Sequence, residues 1–213
     1  MPDYATAWFA RAIRTHDAVV SALALPNGHV RVERGGLWPV TIAPLGCDRV
    51  DLGIVQEVLA DADPTIILPI RRDAHYDWSA RDYAQRRGST VHTYREMVTS
   101  LGFPDPRPHV EQMVEFATDR LGQHSRVLRV EMICEAYFSV VRRDLPALTV
   151  AVAYEYEMTE EALVRAIQRH PGAQIIYNAN PNGRPTEAAL GHGQFASVET
   201  YRFGDLMRRV GRV

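Results

Sequence analysis

Asp144, Glu155 and Glu157 come nearest, by type and spacing, to a catalytic set. They lie in VVRRDLPALTVAVAYEYEMTEEALVRAI, residues 140–167, which reads as a strand, a tight turn, a second strand and a helix. Carboxylates at i and i+2 on one strand point to the same face. With a third acid from the preceding turn they could hold Mg²⁺ through oxygen ligands and water. Such an ion activates water and stabilises charge on a phosphate ester. The plain alternative is a solvated strand end. A second set is Arg71, Arg72, Asp73 and His75, in the loop RRDAHYDW beside Asp77 and Trp78. Its counterpart later in the chain is NANPNGRP, with Asn178, Asn180 and Arg184. Both loops follow apolar strands, and ligands of open α/β sheets favour the carboxyl ends of strands. Arginine can grip an anion bidentately, and a loop that leads into a helix N-terminus favours negative charge. Asn and Gly are also ordinary turn residues. No GxGxxG, GxxxxGK[ST], HExxH or GxSxG occurs, so nucleotide-loop, zinc-protease and hydrolase readings have no motif behind them.

The elements that must position these residues follow from periodicity and breakers. Apolar spacing predicts a helix over 4–24. Strands are expected over 29–34 and 38–44, a helix over 51–61 capped by Asp51, and a doubly covered strand over 65–70. A helix over 78–87 should end at Gly88, followed by a strand in STVHTY and a closing helix in REMVTSLG. FPDPRP, residues 103–108, carries three prolines and is the natural linker between halves at 1–102 and 109–213. Beyond it the expected order is a helix over 109–121 and strands in RVLRVEMI, EAYFSVVRR and LTVAVAYEY. Then come a helix from Thr159, a strand in AQIIYNA, a helix in TEAALGHG, a strand in SVETYR and a last helix.

The halves can be laid on one another. RGGLWPVTIAP matches RRDLPALTVAV at an offset of 108 residues, IVQEVLADADPTIILP matches LVRAIQRHPGAQIIYN, and Thr-Tyr-Arg recurs at 93–95 and 200–202. The expected fold is therefore α/β, two similar α-β-β-α-β-α-β halves produced by internal duplication. Only the second half carries an acidic cluster.

That second half, about residues 109–210, resembles the restriction-endonuclease-like superfamily, the PD-(D/E)xK nucleases. The resemblance lies in the element order and in the ending AQIIYNANPNGRPTEAAL…VETYRFGDLM, which is similar to the closing β-α-β of archaeal resolvases and Mrr-type nucleases. It implies a restriction-endonuclease-like fold, DNA as partner, Mg²⁺ as cofactor, and Asp144, Glu155 and Glu157 as metal-binding catalytic residues. Glu111 or Glu115 would be the leading acid. The motif lysine is replaced by Glu157, so the resemblance implies either an endonuclease or an inactive relative that binds.

Composition sets the outer bounds. At 213 residues, 46% hydrophobic and 23% charged, the chain is long enough to bury its own core. A net charge of −2 argues against a non-specific nucleic-acid coat. Cys47 and Cys134 form no CxxC pair, which suggests a reducing, cytoplasmic setting. No stretch approaches the ~18 apolar residues of a membrane span. Asp3 and Asp17 interrupt the N-terminal stretch, unlike a secretory signal. Arginine far outnumbers lysine, as in GC-rich, bacterial-type coding. Two other readings fit. One is a protein-interaction module or homo-oligomer built from the repeated unit; the other is a binder of a small anion at the two loops. Read alone, WSARDYAQRRGSTVHTYREMV also resembles a helix-turn-helix offering Arg81, Arg86, Arg87 and Arg95 to phosphates.

Overall fold

A computed structural model describes residues 4–212; Asp3 lies outside them. The chain divides into two compact units, at Val110 and Glu111. The first contains α1 (Tyr4–Ala12), β1 (Val19–Ala24), β2 (Val30–Arg34), β3 (Leu37–Leu45), β4 (Arg49–Val50), α2 (Leu52–Asp61), β5 (Ile66–Pro69), β6 (His75–Tyr76), α3 (Trp78–Arg86), β7 (Thr90–Val91) and α4 (Tyr94–Ser100). The second repeats that order with α5 (Gln112–Gly122), β8 (Val127–Cys134), β9 (Tyr137–Arg142), β10 (Leu145–Ala153), β11 (Glu157–Met158), α6 (Glu160–Arg169), β12 (Ile175–Asn178), β13 (Arg184–Pro185), α7 (Glu187–Ala196), β14 (Glu199–Tyr201) and α8 (Phe203–Val210).

Each unit has one five-stranded sheet, in the orders β1-β2-β3-β5-β7 and β8-β9-β10-β12-β14. The first three strands form an antiparallel meander, and the last two run parallel to the third. The runs IILP and IIYN, apolar but for Asn178 at the end of the second, become fully buried strands because helices cover both faces. Alternation assigns the faces. Ile66 and Leu68 pack with Phe9, Ile13, Met97 and Leu101 on one side, while Ile67 packs with Val55, Leu59 and Ala80 on the other. Likewise Ile175 and Tyr177 face Leu121 and Leu206, and Ile176 faces Leu163 and Ala189. Helices are started by Asp51, Thr93, Thr159 and Thr186, whose side chains accept first-turn N–H bonds.

The halves therefore share one α/β plan, and it differs from expectation in two places. Residues 19–24 are a strand, not the end of a helix. VVSALA is β-branched at its start, and its apolar spacing suits either period; pairing with β2 decides it. The Thr-Tyr-Arg repeat is not a structural match either. Ile66 pairs with Thr90 where Ile175 pairs with Glu199, so Thr93 corresponds to Arg202. Both residues are N-caps, of α4 and α8. The helix-turn-helix reading also gives way: β7 pairs in the sheet with β5. Arg81 is fully buried and Arg86 is paired with Asp82.

An equivalent arginine locks each unit. The Arg34 guanidinium donates to the carbonyls of Trp38, Leu101 and Phe103. Arg142 donates to those of Pro146, Val210 and Arg212. Each thereby ties a hairpin to the end of its unit's last helix and satisfies C-terminal carbonyls that the helix leaves open. The proline-rich segment is held by the first unit in the same manner. Arg34 reaches Pro104, Arg81 donates to the His109 carbonyl, and Gln85 to that of Arg107.

Two outcomes follow. Arg142→Ala takes this donor from the Pro146 and Val210 carbonyls and is expected to cost the second unit about 2 kcal/mol; hydrogen exchange of the α8 amides should report the loss, with the α4 amides unchanged. His92 is completely buried, facing Arg81 and edge-on to His109 at 6.1 Å, and burial with the Arg81 charge holds its pKa well below the usual value. The unfolded chain takes a proton there below about pH 6.5 and the folded one does not, so stability should fall by about 1.4 kcal/mol per pH unit below that point. Urea melts at pH 7 and pH 5 should show this slope in wild type and lose that share of it in His92→Gln.

Candidate functional site

β10 decides the fate of the acidic set. Asp144 sits in the turn before it, exposed and in the left-handed conformation at φ 57°, the place Gly36 holds in the first unit at φ 70°. Its short side chain tolerates that conformation. Glu155 and Glu157 follow the other end of the strand. At roughly 3.3 Å per residue, the nine residues of β10 put about 30 Å between them and Asp144. Glu155 and Glu157 do not share a strand either. Glu155 lies in the gap after β10, and Glu157 belongs to β11, paired with Arg184 of β13. Among the described residues no three His, Cys, Asp or Glu side chains gather as a metal-ligand set. The donors expected for Mg²⁺ do not converge. Glu111 and Glu115 begin α5, where Glu115 is exposed.

The carboxyl end of the second sheet is the built region. Asn178 is buried at the end of β12; its Oδ1 accepts from the Glu155 N–H at 3.1 Å and the Asn180 N–H at 3.2 Å, and its Nδ2 donates to the Glu155 carbonyl at 2.9 Å. Asn180 Oδ1 accepts from the Asn182 N–H at 2.9 Å. Gly183 sits so close that a Cβ would overlap the Asn178 amide and the Glu155 carbonyl. NANPNG is thus a folded loop, clamped to the chain leaving β10.

Two clefts open there. One, about 460 Å³, is lined by Met113, Phe116, Tyr177, Asn180, Pro181, Arg202 and Phe203 among others. The other, about 510 Å³, is lined by Tyr156, Glu157, Pro181, Asn182, Arg184 and Arg202. Pro181 and Arg202 belong to both. Neither Arg184 nor Arg202 makes an ion pair among the described residues. The α8 N-terminus beside Arg202 has no side-chain cap.

The corresponding end of the first unit is neutralised. Arg71 pairs with Asp48 at 3.0 Å and Arg49 with Asp77 at 2.8 Å, while Arg72 lies 3.9 Å from Asp73. His75, half-buried, occupies the position of Arg184. The α4 N-terminus is closed by a Thr93–Glu96 capping box. Glu96 is fully buried and accepts from Tyr76 at 2.9 Å and Arg81 at 3.1 Å. Burial raises its carboxyl pKa against the opposing pull of Arg81. The Arg81 guanidinium lies 5.0 Å from the Trp78 ring centre.

Three groups were missed in the sequence. Arg202 and Phe203 sit in an unremarkable strand-to-helix turn, and only the register places them beside the Asn loop. The Arg81–Glu96–Tyr76 network carries no spacing signal, because its members come from three elements. Cys134 lies 3.6 Å from His170 Nδ1 and next to Glu135, which Arg169 pairs at 2.9 Å. Burial first, then Glu135, pushes the thiol far above its usual range, so it is a packing residue and not a nucleophile. No helix among the described residues is long and apolar enough to cross a membrane.

Comparison with known proteins adds nothing to this geometry: no protein-family model, no curated protein and no solved structure matches the chain.

Proposed function

We propose that the chain is an internal duplication of a restriction-endonuclease-like α/β unit whose second copy binds a small phosphate-bearing anion instead of cutting DNA. The observation that carries this reading is the pair of guanidiniums, Arg184 and Arg202, lining one cleft with no carboxylate partner among the described residues. Two unpaired cations on one cleft repel each other, and an anion between them relieves that repulsion. Arginine's planar fork suits phosphate oxygens. The start of α8, which has no side-chain cap and whose first-turn Asp205 is paired with Arg208, adds N–H donors. The first copy offers the contrast: His75 and Thr93 stand where Arg184 and Arg202 do, its loop arginines are paired with carboxylates, and its helix start is capped.

The meander followed by two parallel strands supports the nuclease-like scaffold. The distance of Asp144 from Glu155 and Glu157 favours binding over cleavage. A Mg²⁺ ion brought in with the phosphate would find one carboxylate in the cleft, Glu157, and would there neutralise phosphate charge.

Isothermal titration with pyrophosphate at low salt, with and without Mg²⁺, is the test. Wild type should bind, and Arg202→Ala should weaken binding at least tenfold without lowering the melting temperature. The first-unit variant Arg72→Ala should bind as wild type does. Binding of duplex DNA with none of pyrophosphate, or Mg²⁺-dependent nicking of a plasmid lost in Glu155→Ala, would replace the proposal with the nuclease reading.

A further inference from the structure

The anion cleft has a neighbour of different chemistry. Phe116 and Phe203 pack with ring centres 5.0 Å apart, and Tyr177 lies 5.9 Å from Phe203. With Met113 and Pro181 they wall the 460 Å³ cleft, whose exposed lining is mostly apolar. Tyr177 is there because β12 alternates: Ile176 turns to the α6 and α7 side, and Tyr177 to the side of α5 and α8. Phe116 belongs to the same α5 face edge, and Phe203 opens α8 directly after Arg202. One backbone turn therefore presents a ring to one cleft and a cation to both.

The polar groups in the aromatic cleft are few and defined. Asn180 is buried, and its Oδ1 is committed to the Asn182 N–H, which fixes the amide orientation. Its Nδ2 makes no hydrogen bond among the described residues, so a donor is left for a ring carbonyl or ring nitrogen. The Gln112 amide, exposed on the opposite rim, can donate or accept. Asn178 is held by Glu155 and Asn180 and forms part of the wall.

We infer that the ligand is a nucleotide, its base in the cleft of Phe116, Tyr177 and Phe203 and its phosphate at Arg184 and Arg202. This rests on the anion reading above and extends it. A free phosphate leaves the aromatic cleft unused. An uncharged ring leaves two cations unpaired. A flat heterocycle joined through a sugar to a phosphate satisfies both clefts at once, and the shared residues Arg202 and Pro181 mark where the sugar crosses. Aromatic faces stack any base, and the Asn180 and Gln112 amides meet its polar edge. The combined space suits a ligand of that size.

Titration of the full chain with pyrophosphate, adenosine, AMP and ADP decides the matter. Wild type should bind AMP or ADP at least tenfold more tightly than either pyrophosphate or adenosine. Phe203→Ala should bring nucleotide affinity down to the pyrophosphate level and leave pyrophosphate binding intact; Arg202→Ala should weaken both. Phe116→Leu, a milder change on another helix, should give a smaller loss in the same direction and guards against a Phe203 variant that fails to fold. Equal affinity for pyrophosphate and nucleotide, unchanged by the Phe203 and Phe116 variants, would overturn the nucleotide and leave the anion site standing. Absence of binding by pyrophosphate and nucleotides alike would overturn both.

Discussion

The crossover from β10 to β12 and on to β14 is the constraint that everything at the candidate site depends on. β9 and β10 are joined by a tight turn and must run antiparallel. From β10 onward each connection contains a helix and each strand runs parallel to the last. Parallel strands end on the same side of the sheet. The segment after Ala153, the Asn loop after Asn178 and the turn at Arg202 are thereby delivered to one edge, while Asp144 is delivered to the other. The Asn178 side chain then takes up both backbone groups of Glu155, which the sheet no longer pairs. Glycine at 183 is what lets the returning loop approach that clamp.

The two units show what the same plan does with two charge sets. In the first, Arg81 and Glu96 lie out of water, and such a pair costs desolvation that attraction alone does not recover. It is tolerated because the groups are densely bonded, to Tyr76, Thr93 and the His109 carbonyl. The result is a closed corner, where a carboxylate of the protein caps the last helix. In the second unit the position of Arg81 is Leu190 and that of Thr93 is Arg202, so no such network forms and the helix start stays open. Two units on one plan have two equivalent corners, and here one is filled from within.

Much of this plan was legible in the residues. Helix caps at Asp51 and Thr159, the buried runs at 66–69 and 175–178, and the repeat offset through Arg34 and Arg142 all reflect local chemistry or strict alternation. What was not legible depended on register. VVSALA satisfies both periods, and only its partner strand makes it β1. Thr-Tyr-Arg aligns by letter at 93 and 200, yet the pairing of Ile175 with Glu199 shifts the match by two residues. A strand was expected between Asp144 and Glu155; what their shared role overlooked is that its nine residues set the turn before it and the segment after it at opposite ends of the sheet. Asn178, Asn180 and Arg184 were visible as a loop, but Arg202 and Phe203 join them only through the β12–β14 pairing.

Net charge describes the chain as a whole. A value of −2 argues against a non-specific nucleic-acid coat. Yet a sum over the chain says nothing of how charges are distributed, and potentials that steer ligands are set within about a Debye length. Many of the arginines here are spent on carboxylates or on backbone carbonyls, as Arg34, Arg81, Arg107, Arg142 and Arg209 are. Subtracting the paired ones still leaves guanidiniums in both units, and two of them, Arg184 and Arg202, line one cleft together with Glu157, beside an α8 start that has no side-chain cap. The quantity that matters for recognition is the uncompensated remainder at a concave site, and at the cleft of Arg184 and Arg202 two guanidiniums stand against one carboxylate, Glu157.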